Sequence, residues 1–137
     1  MGAGPLPGLM SMTDRLIAST KSLTIGPQSP GISDADPLTV LQWLSAGAAV
    51  LVDVRETDEF AEDHISGAIL SPLSMFEPDL FPKFTAQRVV LMCAVGKRSM
   101  AAAKQLQKAG YGDVINLSGG LNAWKDAGCP TSLSRAA

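Results

Sequence analysis

The residues richest in chemistry stand together: Cys93-Ala94-Val95-Gly96-Lys97-Arg98-Ser99. They follow a short apolar run, Val89-Val90-Leu91-Met92, that reads as a buried strand. They precede an Ala-rich segment, residues 100–108, that reads as a helix. A cysteine between a strand and a helix start lies where backbone N–H groups have no intrahelical partner. Those donors and the helix dipole stabilise an anion. A thiolate is an anion, so Cys93 is expected to ionise more readily than a free thiol, and Lys97 and Arg98 push the same way. Gly96 allows a tight turn that brings N–H groups round a small ligand. Taken alone, a cysteine at a strand end is most simply a buried apolar residue. The two adjacent cations decide against that reading, because a core strand end has no use for them.

Other residues carry weaker signals. Asp53 and Arg55 could line the same cup, but they sit on a different strand with no evident proton-transfer partner. A buried pair tying that strand to its loops is the preferred reading. His64 is the sole histidine and cannot build a zinc site with scattered cysteines. It is read as a loop histidine bonded to backbone rather than as a base for Cys93. Gly119-Gly120 marks a turn into a helix, and Trp124 is expected to pack on the sheet. Cys129 is expected to be a spectator, with a resolving thiol as the lesser option.

The elements that must position Cys93 are legible in outline. Strands are expected at residues 32–33, 49–54, 68–70, 88–92 and 113–117. Helices are expected at 34–45, 56–62, 100–108 and 120–127. This alternation predicts an α/β fold with a mostly parallel five-stranded sheet and helices on both faces. Ligands bind such sheets at the carboxyl ends of the strands, where Cys93 falls. Residues 1–30, rich in Gly, Pro, Ser and Thr, are expected to form a flexible extension before one domain over 31–137. Leu16, Ile17 and Leu23 give that extension only a thin apolar stripe.

With a net charge of −2, nothing points to nucleic acid or an acidic membrane surface. Two cysteines make no disulfide scaffold in 137 residues. No apolar run reaches bilayer length, so no membrane span is expected in this chain. No basic stretch precedes an apolar one at the start. A cytoplasmic location is expected, and its reducing conditions suit a thiolate.

Four stretches together resemble the rhodanese-type sulfurtransferases: the Cys93–Ser99 loop, Leu51-Val52-Asp53-Val54-Arg55-Glu56, Asp63-His64-Ile65-Ser66-Gly67-Ala68-Ile69, and Asn116-Leu117-Ser118-Gly119-Gly120-Leu121-Asn122-Ala123-Trp124. They stand in the family's order and spacing. Ser71-Pro72-Leu73-Ser74 is also similar to the soluble half of certain membrane-anchored bacterial members. The resemblance implies a single rhodanese-like domain with Cys93 as nucleophile and carrier of a persulfide. It implies substrate binding by Ala94, Val95, Gly96, Lys97, Arg98 and Ser99, and a supporting role for Asp53 and Arg55. Lys97 and Arg98 are expected to attract the donor, and Ser99 to cap the helix and donate to the thiolate. The implied donor is a small anion, thiosulfate or a persulfide, with a protein persulfide left open. The implied acceptor is a thiol or cyanide. No metal or organic cofactor is implied.

Two other readings stay in view. Cysteine phosphatases and arsenate reductases on the same fold carry five residues between cysteine and arginine. Here Ala94 to Lys97 make four, which favours sulfur transfer. A non-catalytic persulfide-carrier or binding domain is the other reading, and relatives of that kind often lose the cysteine.

Overall fold

The computed structural model describes residues 31–136; the extension expected over residues 1–30 lies outside the described residues. The elements run β1 (Ile32–Ala35), α1 (Pro37–Ser45), β2 (Ala49–Asp53), α2 (Thr57–Glu62), β3 (Ile69–Leu70), β4 (Arg88–Met92), α3 (Lys97–Lys108), β5 (Val114–Leu117), α4 (Gly120–Asp126) and α5 (Ser132–Ala136). The sheet has five strands in the order β1-β5-β4-β2-β3, and every pairing is parallel. Both expectations, α/β class and parallel sheet, hold.

The continuous apolar runs of β2 and β4 follow from burial on both faces. Leu51 pairs with Val90 and Val52 with Leu91, so alternate side chains enter opposite layers. One layer holds Leu51, Val90, Met92 and Leu117 against Val40 of α1 and Leu121 and Trp124 of α4. The other holds Val52, Val89, Leu91 and Cys93 against Ala102, Ala103 and Leu106 of α3. The proline-punctuated stretch after β3 makes two short 3-10 turns, Leu73–Met75 and Pro78–Leu80. Its Phe76, Phe81 and Phe84 join Tyr111 on the second layer. Trp124 is fully buried and donates its indole N–H to the Pro130 carbonyl at 2.9 Å. Cys129 lies in the first layer and Cys93 in the second, so the sheet stands between the two thiols.

Two helix starts differ from expectation by three residues, each for a local reason. The first helix begins at Pro37, not Asp34: Asp36 accepts the Thr39 N–H at 3.0 Å as its cap, and Pro37 suits the first helical position. Asp34 is thereby left in β1. The helix after the cysteine begins at Lys97, not Met100, because Gly96 adopts φ 101° and starts the helix at once. A terminal helix, α5, was not anticipated. The Asp63 carboxylate anchors it, with Oδ1 accepting the Ser132 hydroxyl at 3.1 Å and the Leu133 N–H at 3.0 Å. Oδ2 has no aligned hydrogen-bond donor; the Lys125 ammonium, 2.8 Å away, balances it by charge.

Candidate active site

Strand β4 ends at Met92 and delivers Cys93 to the carboxyl edge of the sheet, with no side-chain exposure. The chain turns over Ala94 and Val95 into Gly96. A β-carbon on Gly96 would meet nothing nearer than 3.6 Å, so its backbone angle, not lack of room, calls for glycine. Helix α3 then starts without a capping side chain from Gly96. The cysteine sulfur takes that place. Its Sγ accepts the N–H of Gly96 at 3.1 Å and of Ser99 at 3.3 Å, and the Ser99 hydroxyl lies 3.4 Å away. Ser99 is the third helical residue, whose N–H a cap residue ordinarily binds. Ser99, expected as the cap, is therefore inside the first turn, fully buried and beside the sulfur.

Burial pushes the Cys93 thiol up. The Ser99 hydroxyl and the N–H groups of Ser99, Gly96 and Val95 bring it down, and the net result lies below the ordinary thiol value. Hydrogen bonds, ahead of the neighbouring cations, supply the lowering.

The loop is also gripped from behind. Gly119 and Gly120, both at positive φ, open α4. The Leu121 N–H then reaches the Cys93 carbonyl at 2.8 Å, and the Asn122 N–H reaches the Ala94 carbonyl at 3.0 Å. A β-carbon on Gly120 would fall on those carbonyls.

The charges are arranged differently from the expectation. Arg98 lays its guanidinium fork on Glu59, Nη1 to Oε1 at 2.8 Å and Nη2 to Oε2 at 3.0 Å. The Arg98 contact holds the Glu59 carboxyl at about 2. The Arg98 guanidinium is raised in turn, by Glu59 first and more weakly by the charge of Cys93. Lys97 is exposed and makes no ion pair among the described residues. Val95 is exposed at the tip of the turn. The remaining loop residue, Ala94, is half-buried.

Asp53 and Arg55 lie at the end of β2 and just beyond it, both buried. Arg55 binds Asp53 through Nε at 3.0 Å and Nη2 at 2.8 Å. Its remaining donors reach the Asp63 carbonyl at 2.8 Å and the Glu59 carbonyl at 3.4 Å. The pair thus fixes helix α2, which carries Glu59 to Arg98. His64 places Nδ1 2.9 Å from the Phe60 carbonyl and stacks on the Phe60 ring at 4.1 Å. None of its hydrogen bonds reaches Cys93. Among the described residues no cluster of His, Cys, Asp or Glu could hold a metal ion.

Two residues that sequence reasoning left unassigned touch this arrangement. Glu59 is one. Asn116 of β5 is the other: its Oδ1 accepts the Ser99 hydroxyl at 2.5 Å, and its Nδ2 donates to Asp34 Oδ1 at 3.2 Å and the Gly96 carbonyl at 3.4 Å. Its signal was an amide within an otherwise apolar strand, Val114-Ile115-Asn116-Leu117.

The architecture is thus an α/β domain presenting a cysteine loop at the carboxyl edge of a parallel sheet. The chain belongs to the rhodanese-like domain family, whose profile matches residues 36–127. It is similar to an uncharacterized protein, slr1261, from Synechocystis, with 44% identity over 95 residues, covering 69% of this chain and 53% of that protein. The chain therefore spans about half the length of that relative. It is similar to a protein named sulfurtransferase from Allochromatium vinosum, 36% identical over 81 residues, covering 59% of this chain and 76% of that one. Among solved structures it resembles a Rhodopseudomonas palustris protein of unknown function, described as a possible tyrosine phosphatase. The TM-score is 0.64 at 28% identity, over 90% of this chain and 93% of that one. No described helix is long and apolar enough to cross a membrane.

Proposed function

We propose that this domain transfers sulfane sulfur through a persulfide on Cys93. The observation that carries the reading is the sulfur seated as a helix cap, accepting the N–H groups of Gly96 and Ser99. Those dipoles hold negative charge on the Cys93 sulfur before loading and again once the outer sulfur has left. The Cys93 thiolate attacks the outer sulfur of thiosulfate. The sulfur–sulfur bond of the donor breaks, sulfite leaves with the bonding pair, and Cys93 carries S–S⁻. A persulfide donor reacts alike and leaves as a thiolate. A thiol or cyanide then attacks the outer sulfur and returns the thiolate of Cys93. Ala94, Val95, Gly96, Lys97, Arg98 and Ser99 form the binding loop, with Asp53 and Arg55 supporting it. Lys97, without an ion pair among the described residues, supplies positive charge for an anionic donor, and Arg98, already forked to Glu59, shapes the mouth. The reading extends to a reducing, cytoplasmic setting, where the thiol stays available. The sulfurtransferase name of one relative supports it.

A second reading, hydrolysis of a phosphate ester, has the tyrosine phosphatase description of the R. palustris neighbour in its favour. Against it stand the four-residue spacing from Cys93 to Arg98 and an arginine fork already filled by Glu59. Mass spectrometry after thiosulfate treatment tests the choice. One sulfur added to the Cys93 peptide and removed by cyanide supports transfer. Robust aryl phosphatase activity lost in Cys93→Ser, with no added sulfur, overturns it.

A further inference from the structure

A hydroxyl has one hydrogen to give. The Ser99 hydroxyl faces two acceptors, Asn116 Oδ1 at 2.5 Å and Cys93 Sγ at 3.4 Å. The first contact lies at the short, strong end of the O–H···O range, so it takes the hydrogen. The amide cannot turn round to avoid this. Its Nδ2 faces the Asp34 carboxylate and the Gly96 carbonyl, both acceptors, and only a donor fits there. Asn116 is buried, and Ser99 is the one donor to its Oδ1 among the described residues.

We infer that Asn116 is a positioning residue, competing with the Cys93 sulfur for the Ser99 hydrogen and so setting how readily that sulfur ionises. While the sulfur is a thiol, the hydroxyl rests on Asn116. Once the proton has left, the thiolate is the better acceptor and the hydroxyl rotates to it, leaving Oδ1 buried and unbonded. Ionisation therefore costs one buried hydrogen bond. Loading reverses the move: in a persulfide the charge sits on the outer sulfur, so the hydroxyl returns to Asn116. The amide thus opposes the bare thiolate and favours the loaded state.

The charged groups linked to the loop by sequence or hydrogen bonds are Lys97 and Arg98 at the start of α3, Glu59 of α2 on Arg98, Asp34 of β1 on Asn116, and the Asp53–Arg55 pair, whose Arg55 holds α2; Lys104 and Lys108 of α3, Asp58 and Glu62 of α2, Arg88 of β4 and Lys125 and Asp126 of α4 lie elsewhere on those elements. All of them stay in place in the variants below. The inference rests on Cys93 being the reacting thiol. Its test reads acidity without sulfur transfer, so the two can fail separately.

The rate of iodoacetamide alkylation on the Cys93 peptide is measured against pH in the full chain, in Asn116→Leu, in Ser99→Ala and in the double variant. Asn116→Leu is expected to lower the midpoint by about one pH unit, the size of one net hydrogen bond. Ser99→Ala is expected to raise it. In the Ser99→Ala background, Asn116→Leu is expected to shift nothing. A midpoint unchanged or raised by Asn116→Leu, or a fall of equal size without the hydroxyl, overturns the inference. Where leucine disturbs the fold by circular dichroism, Asn116→Asp replaces it. That carboxylate is a stronger acceptor, so the midpoint rises, and most of the rise vanishes in Ser99→Ala. A rise undiminished by Ser99→Ala assigns the effect to charge alone and overturns the coupling.

Discussion

Cys93 sits where a helix ordinarily meets a capping oxygen, and this shapes what substitutions there do. Cys93→Ser keeps an acceptor for the Gly96 and Ser99 N–H groups, so its stability in urea is expected within about 1 kcal/mol of the parent. Sulfur loading from thiosulfate is expected to vanish. Cys129→Ser is the converse. Burial pushes that thiol up, and it lies in the core. Its replacement is expected to cost about 1–2 kcal/mol, as a hydroxyl enters apolar surroundings, and to leave loading intact. Equal loss of loading in both variants would mean a two-thiol mechanism, which the intervening sheet argues against. Lys97→Ala is expected to raise the thiosulfate KM several-fold and flatten its salt dependence, since an exposed cation acts through a screened field.

At the scale of the element, helix α2 matters because it carries Glu59 to Arg98. The Glu59 carboxyl is depressed, so the stability it confers is full above about 4.5 and is lost as pH falls toward about 2. The pair is a third exposed, so at neutral pH Glu59→Gln is expected to cost under about 1 kcal/mol. The variant should show a shallower loss of stability in acid unfolding, and an unchanged slope would show that the fork contributes nothing. Helix α4 acts through Gly120, where alanine would drive a β-carbon into the Cys93 and Ala94 carbonyls. Gly120→Ala is expected to cost at least about 2 kcal/mol and to slow Cys93 alkylation. Periodicity and the residues flanking Cys93 made the strands and the cysteine turn legible, because both are written locally in the chain. Asn116 and Glu59 were not legible as neighbours of the loop. They reach it from β5 and α2, and only the strand order brings them there. The early start of α3 was hidden because Ala-rich propensity is strongest after Met100, whereas the conformation of Gly96 sets the boundary. Helix α5 was hidden because its anchor, Asp63, lies on a distant loop.

At the scale of the whole molecule, Asp63 clasps the final helix to the loop after α2. Burial pushes its carboxyl up, and Lys125, the Leu133 N–H and the hydroxyls of Thr131 and Ser132 bring it well below the usual carboxylate range. Asp63→Asn is expected to lower the unfolding free energy by about 1–3 kcal/mol at pH 7. The difference should shrink as acid protonates the parent, read from melting curves at stepped pH. The cradle of the sulfur has a wider consequence. It gathers Asp34, Cys93, Ser99, Asn116 and Gly120, from the first strand to the fourth helix. Parallel pairings between such distant segments form late, because each must first close a long loop. A half-folded polypeptide is therefore expected to carry Cys93 as an ordinary thiol, lacking the rear grip of α4 on the Cys93 and Ala94 carbonyls. The lowering of the Cys93 thiol is thus expected to arrive with folding, so a half-folded chain is expected to be chemically quiet there.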